Sequence, residues 1–450
     1  MGKYFGTDGF RGRAGEELLS AHAYKIGSFL AHSLKDNRES KPKIVIGKDT
    51  RISSYMLEYA IASAVASHGC DAYMMHVTTT PSISYITKSE GFNFGIMISA
   101  SHNPYYDNGI KIINCDGEKI DDCLVEKIEQ YIDSNDTLPE KKDSEVGRIV
   151  DYYEGRNRYM GYLISSCKET FKSMRIGLDL ANGGTHMIAK SVFNALGAKV
   201  YPINDTPNGI NINMSAGSTC IRGLSELVKR NNLDVGFAFD GDGDRCIAVD
   251  ENGNEISGEG LMYVLACALK KDGELNKNTV VTTVMSNLGL YKAFDDEKIS
   301  YETVSVGDRF VSERMRNMGY SLGGESSGHI IISKYAKTGD GILTAIKILE
   351  IMKREHSSLA ALTEPLALLP QITKNVRVKK RDEILNGERV NRAYNEVSCE
   401  LSDKGRVILR PSGTEPVIRI TVECCDIEKC RLCVDKIEKA ILEESACQEK

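Results

Sequence analysis

Three aspartates stand at alternate positions, Asp240, Asp242 and Asp244, with Gly241 and Gly243 between them and Arg245 after them. The glycines let a tight loop aim three hard oxygens at one cation, and magnesium suits such carboxylates together with a phosphate oxygen. An EF-hand calcium loop is the nearest rival, because Glu251 is twelfth counting from Asp240. It fails at the sixth position, where Arg245 replaces the required glycine, and in its flanks, which read as strands rather than helices. A phosphatase with Asp240 as nucleophile and Asp242 as acid, or a plain solvated turn, would leave the other polar loops without a use.

The second constellation follows a short apolar run, Phe94 to Ile98, that reads as a buried strand and empties into Ser99, Ala100, Ser101 and His102 before Asn103-Pro104 stops it. A turn at Asp107-Asn108-Gly109 then folds the run Ile110 to Ile113 back, which brings Lys111 toward the serines. A hydroxyl nucleophile, an imidazole and an ammonium thus share one small surface.

Two further loops bind rather than react. Arg410-Pro411-Ser412-Gly413-Thr414 combines a guanidinium fork, two hydroxyls and the amides of a glycine turn, a cradle for a phosphate dianion to which Arg419 adds charge. In the loop Gly323 to His329, the residues Glu325, Ser326, Ser327 and His329 offer acceptors and donors for sugar hydroxyls, and the glycines allow close approach. Phosphoryl transfer to or from a sugar phosphate is the reaction class that uses all four loops. The chain has neither a Walker loop nor a GxSxG elbow, which disfavours a nucleotide kinase and an esterase.

The elements that must carry these loops alternate between strand and helix. Strands are expected at Ile44 to Gly47, Tyr73 to Val77, Gly95 to Ser99, Ile176 to Leu180, Lys199 to Ile203, Val235 to Phe239, Thr279 to Thr283 and Glu302 to Val306. Ser53 and Ser54 are expected to cap a helix running from Met56 to Ser67, and Thr80-Pro81 to start another. The fold class is therefore α/β: three similar blocks with mixed, mostly parallel sheets, then a smaller α+β block with strands at Arg406 to Leu409 and Val417 to Val422. The polar segment Asp133 to Glu145, the turn Glu251 to Asn254 and the stretch Ala367 to Lys374 divide the chain into 1–145, 146–252, 253–366 and 367–450. Each block carries one of the glycine-bearing loops, as a shared central cleft requires.

At 450 residues the chain has length for several cores, and 41% hydrophobic with 27% charged residues fits a soluble protein. A net charge of −6 without a basic run argues against a nucleic-acid or membrane partner. There is no signal core at the start and no membrane-length apolar run, so a cytoplasmic location is expected. Thirteen scattered cysteines read as reduced thiols. Cys424, Cys425, Cys430 and Cys433 are spaced for a metal or redox role, but they lack a second CxxC and read as small buried hydrophobes.

The stretches Thr7 to Arg11, Ser99 to Pro104, Asp240 to Arg245, Gly324 to Gly328 and Arg410 to Pro416 resemble, in order and over nearly the whole chain, the signatures of the α-D-phosphohexomutases. The stretches Asn208 to Asn213, Met285 to Gly289 and Val306 to Arg309 are most similar to the branch acting on amino sugars, with Cys220 where that branch has histidine and Ser326 where it has glutamine. The resemblance implies four domains around a cleft and a phosphorylated Ser101. It implies interconversion of glucosamine 6-phosphate and glucosamine 1-phosphate through glucosamine 1,6-bisphosphate, with a homodimer left open as the assembly. It further implies one Mg2+ on Asp240, Asp242, Asp244 and a Ser101 phosphoryl oxygen. Arg11, Lys111 and Arg245 would line the reacting end, and Lys111 or His102 would move the proton. Arg410, Ser412, Gly413 and Thr414 would grip the distal phosphate.

Overall fold

The computed structural model describes residues 2–34, 41–411 and 417–448, which form two compact units: Met1–Val284 with Ile299–Glu364, and Met285–Lys298 with Pro365–Lys450. The first unit holds three sheets. In the first sheet, β1 (Phe5–Gly6), β2 (Gly9–Arg13), β3 (Lys43–Lys48), β4 (Asp71–Val77), β5 (Phe94–Ile98), β6 (Asp107–Asn114) and β7 (Ile149–Asp151) are ordered β1-β2-β6-β5-β3-β4-β7. Strands β5, β3, β4 and β7 are parallel, whereas β6, β2 and β1 add on antiparallel. The central strands are continuous apolar runs because both faces are covered. Ile44, Ile46, Ile96 and Ile98 pack toward Leu57, Ile61 and Val65 of the helix Ile52–Ser67. The alternate residues Val45 and Met97 pack toward Ile83 and Ile86 of the helix Thr80–Ser89. That second helix starts as expected, with Pro81 in its first turn and Thr79 accepting from Ser82 N at 3.3 Å.

The helix after β3 departs from expectation. It begins at Ile52, and neither Ser53 nor Ser54 caps it. Ser54 Oγ instead donates to the buried carboxylate of Asp49 (2.9 Å), and both serine hydroxyls accept from Asn108 (2.8 and 2.9 Å). A buried carboxylate needs donors more than an exposed helix end does. Strand β7 lies beyond the break expected at 145 yet pairs with β4, so the first sheet extends past that boundary.

The second sheet has β8 (Arg175–Asp179), β9 (Lys199–Ile203), β10 (Val235–Phe239), β11 (Cys246–Val249) and β12 (Glu255–Ile256), in the order β12-β11-β10-β8-β9. Only β9, β8 and β10 are parallel. Strand β12 again overruns its expected boundary, at 252. The third sheet has β13 (Thr279–Thr283), β14 (Ser300–Val304), β15 (Leu322–Gly324) and β16 (Ile330–Ile332), in the order β14-β13-β15-β16. Its β15–β16 hairpin carries residues 325–329 at the tip.

The second unit is an antiparallel sheet, ordered β17-β19-β18, of β17 (Gln371–Arg377), β18 (Gly405–Pro411) and β19 (Val417–Cys424), with the helices Glu388–Leu401 and Ile427–Gln448. The second half of the stretch expected as linker, residues 371–374 of 367–374, is strand. The helix Leu288–Asp296, expected within 253–366, belongs here: Leu288 N donates to Glu423 (3.0 Å) and Asn287 Nδ2 to the Leu369 carbonyl (2.9 Å). Cys424, Cys430 and Cys433 lie in this unit's core, while Cys425 is exposed. Among the described residues no helix is long and apolar enough to cross a membrane.

One buried carboxyl gives the first unit a pH dependence. Asp340 caps the helix Gly341–Glu355 by accepting from Leu343 N (2.9 Å) and also accepts from Tyr159 Oη (2.7 Å). Burial pushes its pKa up to about 6, from 3.8. The folded chain therefore holds a proton that the unfolded chain has lost between those values. The contribution is fully present below the unfolded pKa and is lost as pH rises through about 6. Asp340→Asn keeps the cap and removes the titration. Denaturant unfolding should show the parent losing, relative to the variant, on the order of 3 kcal/mol between about pH 4 and 7. A pH-independent difference would mean that Asp340 ionises like an ordinary aspartate.

Candidate active site

The acid loop leaves the carboxyl end of β10 and turns into β11. Gly241 is required by close approach, since a Cβ there would lie 2.6 Å from the Ser101 carbonyl oxygen, and Gly243 by its φ of 72°. Both flanks are strands, which removes the EF-hand reading. One carboxylate oxygen from each of Asp240, Asp242 and Asp244 lies within 4.8 Å of the others, and all three residues are buried. Asp242 Oδ1 and Asp244 Oδ1 have no hydrogen-bond partner. Burial, Asp244 and Asp242 together push the Asp240 carboxyl well above its ordinary range. Hard oxygens that repel one another and lack donors fit a divalent cation, which would offset that repulsion.

The serine loop meets the acid loop directly. Ser101, 1% exposed, donates from Oγ to Asp240 Oδ2 at 2.5 Å, and its Oγ is 3.3 Å from His102 Nδ1. Burial, with Arg245 and Arg11 nearby, brings the His102 pKa down to about 3, so the imidazole beside the hydroxyl is neutral.

Lys111 arrives on β6, opposite Met97 of β5. Its Nζ reaches the acid loop, 2.7 Å from Asp242 and 3.2 Å from Asp244, and lies 3.2 Å from Asp8. Burial opposes its charge, but these three carboxylates outweigh burial and hold the ammonium well above its ordinary pKa. Arg11 pairs with Asp8 and retains a buried, unpartnered Nε. The Arg245 side chain also has a buried Nε without a partner. Lys111 therefore stays charged, and two guanidiniums keep donor capacity at the same site.

The third sheet closes the group. Lys119 Nζ bridges Asp8 (2.5 Å) and Asp308, so a single ammonium ties the first block to the third. A cavity of about 300 Å³ opens beside it, lined by Glu118, Lys119, Asp308, Arg309, Arg316 and His329 among others. Glu325 is half-buried, with one carboxylate oxygen accepting from Gly307 N (3.0 Å), while Ser327 Oγ is unpartnered. His329, expected to face the sugar, lines this cavity and also packs against the acid loop. It is buried, its Nε2 accepts from Gly339 N (3.0 Å), and its Nδ1 faces Asp244 (3.7 Å). Strand β16 begins at the next residue.

In the second unit, Arg410 on β18 stands directly across the ladder from Arg419 on β19. Burial and the Arg419 charge lower the Arg410 pKa, and its buried Nε has no partner. Like charges placed opposite are unfavourable unless an anion joins them. Ser412, Gly413 and Thr414 lie outside the described residues.

Sequence reasoning missed several side chains that complete the first unit's site: Thr80, whose hydroxyl donates to Asp242, the Lys119–Asp308 pair, Arg51 and Asn213. The pairing of Asp8 with Lys111 was missed as well. All these contacts cross long stretches of chain; Asp8, a carboxylate in a glycine turn beside Arg11, and Asn213, in the stretch Asn208 to Asn213, carried a local signal but not these pairings.

Four domain families described as phosphoglucomutase/phosphomannomutase match the chain in order: alpha/beta/alpha domain I over residues 2–139, domain II over 157–253, domain III over 257–368 and the C-terminal domain over 374–440. A phosphoglucosamine mutase of Lachnospira eligens is 52% identical over 97% of this chain and 98% of its own length. Among solved structures, a phosphoglucomutase/phosphomannomutase family protein of Burkholderia thailandensis aligns with a TM-score of 0.79 at 20% identity, covering 97% of each chain. Aspergillus fumigatus N-acetylphosphoglucosamine mutase, solved in complex with GlcNAc-6P and magnesium, aligns with a TM-score of 0.66 at 15% identity over 98% of this chain and 96% of that one.

Proposed function

Because this chain belongs to the phosphoglucomutase/phosphomannomutase family, among relatives that are phosphoglucosamine mutases, we propose that it interconverts glucosamine 6-phosphate and glucosamine 1-phosphate, with Ser101 carrying the phosphoryl group. The observation that carries this reading is the buried Ser101 hydroxyl, hydrogen-bonded to Asp240 at the acid loop and beside Lys111, Arg11 and Arg245. Phosphorylated Ser101 gives its phosphoryl group to one sugar hydroxyl, which makes glucosamine 1,6-bisphosphate, and Ser101 Oγ takes back the group from the other end. The unpartnered guanidinium nitrogens of Arg11 and Arg245 bind the phosphoryl oxygens, and charged Lys111 holds the aspartates in place. Of the two proton carriers expected, Lys111 is held charged, so neutral His102, at Ser101 Oγ, takes the proton of the incoming hydroxyl. The phosphoryl charge on Ser101 offsets the burial and arginines that weaken the imidazole as a base. Asp240, Asp242 and Asp244 would hold a magnesium ion, the ion named with the Aspergillus neighbour, and when bound it would offset phosphoryl charge. Glu325 and Ser327 read the sugar. Arg410, Arg419, Ser412, Gly413 and Thr414 grip the phosphate that is not reacting, a role supported by the opposed guanidiniums of β18 and β19.

A side-by-side mutase assay on glucosamine, glucose and mannose 6-phosphates tests the substrate. Ser326 is shorter than the glutamine expected at that position, so discrimination between 2-amino and 2-hydroxy sugars should be soft. Glucosamine 6-phosphate should be the best substrate with detectable glucose 6-phosphate turnover, and Ser326→Gln should raise the preference for the amino sugar. Equal efficiency on both sugars, unchanged by that substitution, would contradict the amino-sugar assignment; a best rate on mannose 6-phosphate would make the chain a phosphomannomutase.

A further inference from the structure

Ser101 has a φ of 52°, a left-handed conformation uncommon for serine, and the structure fixes both peptide groups that flank it. On the amide side, Ser101 N donates to Ser99 Oγ (2.9 Å), and Ser99 Oγ donates to Asp49 Oδ2 (2.7 Å). On the carbonyl side, the Ser101 oxygen accepts from Arg51 Nη2 (2.9 Å) and from Asn213 Nδ2 (2.8 Å). The same two side chains also hold the Asn103 carbonyl, Arg51 at 2.9 Å and Asn213 at 3.0 Å. Arg51 is fully buried, is anchored by Asp49 through Nε (2.7 Å), and reaches the Pro104 and Asp107 carbonyls as well. Its guanidinium therefore gathers four carbonyls of one loop around a single planar fork.

Asn213 comes from the second block, in the loop between β9 and β10. Its own φ is 58°, a conformation that asparagine and glycine tolerate. The amide spans two blocks: it fixes the serine loop, on the first sheet, against the chain that leads toward the acid loop. The close approach of Gly241 to the Ser101 carbonyl allows no slack in that seam.

We propose that Arg51 and Asn213 are positioning residues for phosphoryl transfer. They lock residue 101 in its left-handed conformation and hold the serine loop in register with the acid loop, so that Oγ meets the transferring group in both half-reactions. Neither side chain needs to touch the sugar. The proposal rests on Ser101 being the phosphoryl carrier, and the size of the effect follows from in-line transfer, for which a displacement of about 1 Å costs on the order of 100-fold.

Asn213→Gly is the informative variant, because glycine keeps the positive φ and removes only the amide. Asn213→Asp, nearly isosteric, replaces the donor with a carboxylate facing two carbonyls. Both are made in the full chain and assayed with Mg2+ and glucosamine 6-phosphate, with melting temperature and base-labile phosphoryl content measured alongside. For Asn213→Gly, kcat should fall about 30-fold with KM within about threefold, and the melting temperature should move by no more than a few degrees. Asn213→Asp should lose more kcat than the glycine variant while remaining phosphorylated on Ser101. A parental kcat in Asn213→Gly, or a loss that appears only together with a large fall in melting temperature or as a rise in KM alone, overturns the proposal. Ser101→Ala is run in parallel: if it stays active the carrier assignment itself fails, whereas an inactive Ser101→Ala beside a fully active Asn213→Gly removes only the positioning role.

Discussion

Ser101→Ala should lower mutase turnover by at least ~10³-fold while the protein stays folded, as removal of a covalent nucleophile commonly does. The side chain is small and buried, and its one strong contact is the Oγ hydrogen bond to Asp240. Asp240 keeps an acceptor role without it, through the Arg245 backbone amide at 3.1 Å. The loss should appear in kcat, with circular dichroism and melting temperature close to those of the parent. Near-parental turnover would remove the phosphoserine route and return the chemistry to the acid loop, where Asp240 would have to be the nucleophile.

Asp240→Asn carries the second-largest effect. Asp242 is a less clean choice, since it also accepts from the buried Lys111 ammonium (2.7 Å) and from Thr80. Burial and its two neighbours hold Asp240 toward the protonated form, so a neutral amide there resembles the protonated carboxyl. The melting temperature without metal should therefore be unchanged or slightly raised. Added MgCl2 should raise the parent's melting temperature, because a ligand that binds only the folded state stabilises it, and this shift should vanish in the variant. Turnover should fall on the order of 10²-fold, consistent with the loss of one ligand from a site of three carboxylates. An intact magnesium shift in Asp240→Asn would contradict the acid loop as the metal site.

Much of this was legible in the sequence, for a physical reason. β3, β5 and β10 are covered on both faces, so they appear as short apolar runs, and the loops at their carboxyl ends are the polar stretches that interrupt them. What stayed hidden depends on partners distant in sequence. Ser53 and Ser54 have the composition of a helix cap, and only the fold brings Asn108 close enough to claim both hydroxyls. β7 follows a polar stretch that looks like a linker, and its place in the first sheet is set by pairing with β4 across the intervening helices and strands. The polar loop marked His329 as a ligand residue, but its contacts with Gly339 N and Asp244 appear only once the chain turns into β16. Arg51 stands in no motif, and Asn213, although it ends the stretch Asn208 to Asn213 that carries the family resemblance, has no local sign of a positioning role. Their role becomes visible only when four carbonyls of the serine loop are seen converging on one guanidinium.

The central claim is that Ser101 carries the phosphoryl group between the two ends of an amino sugar. The most direct test is to incubate the full chain and Mg2+ with phosphoryl-labelled glucosamine 1,6-bisphosphate and map the label by peptide mass. An acid-stable, base-labile phosphoryl group should appear on Ser101, pass to unlabelled glucosamine 6-phosphate when that is added, and be absent from Ser101→Ala. An acid-stable label at another residue, or a base- and acid-labile acyl phosphate on Asp240, would contradict it.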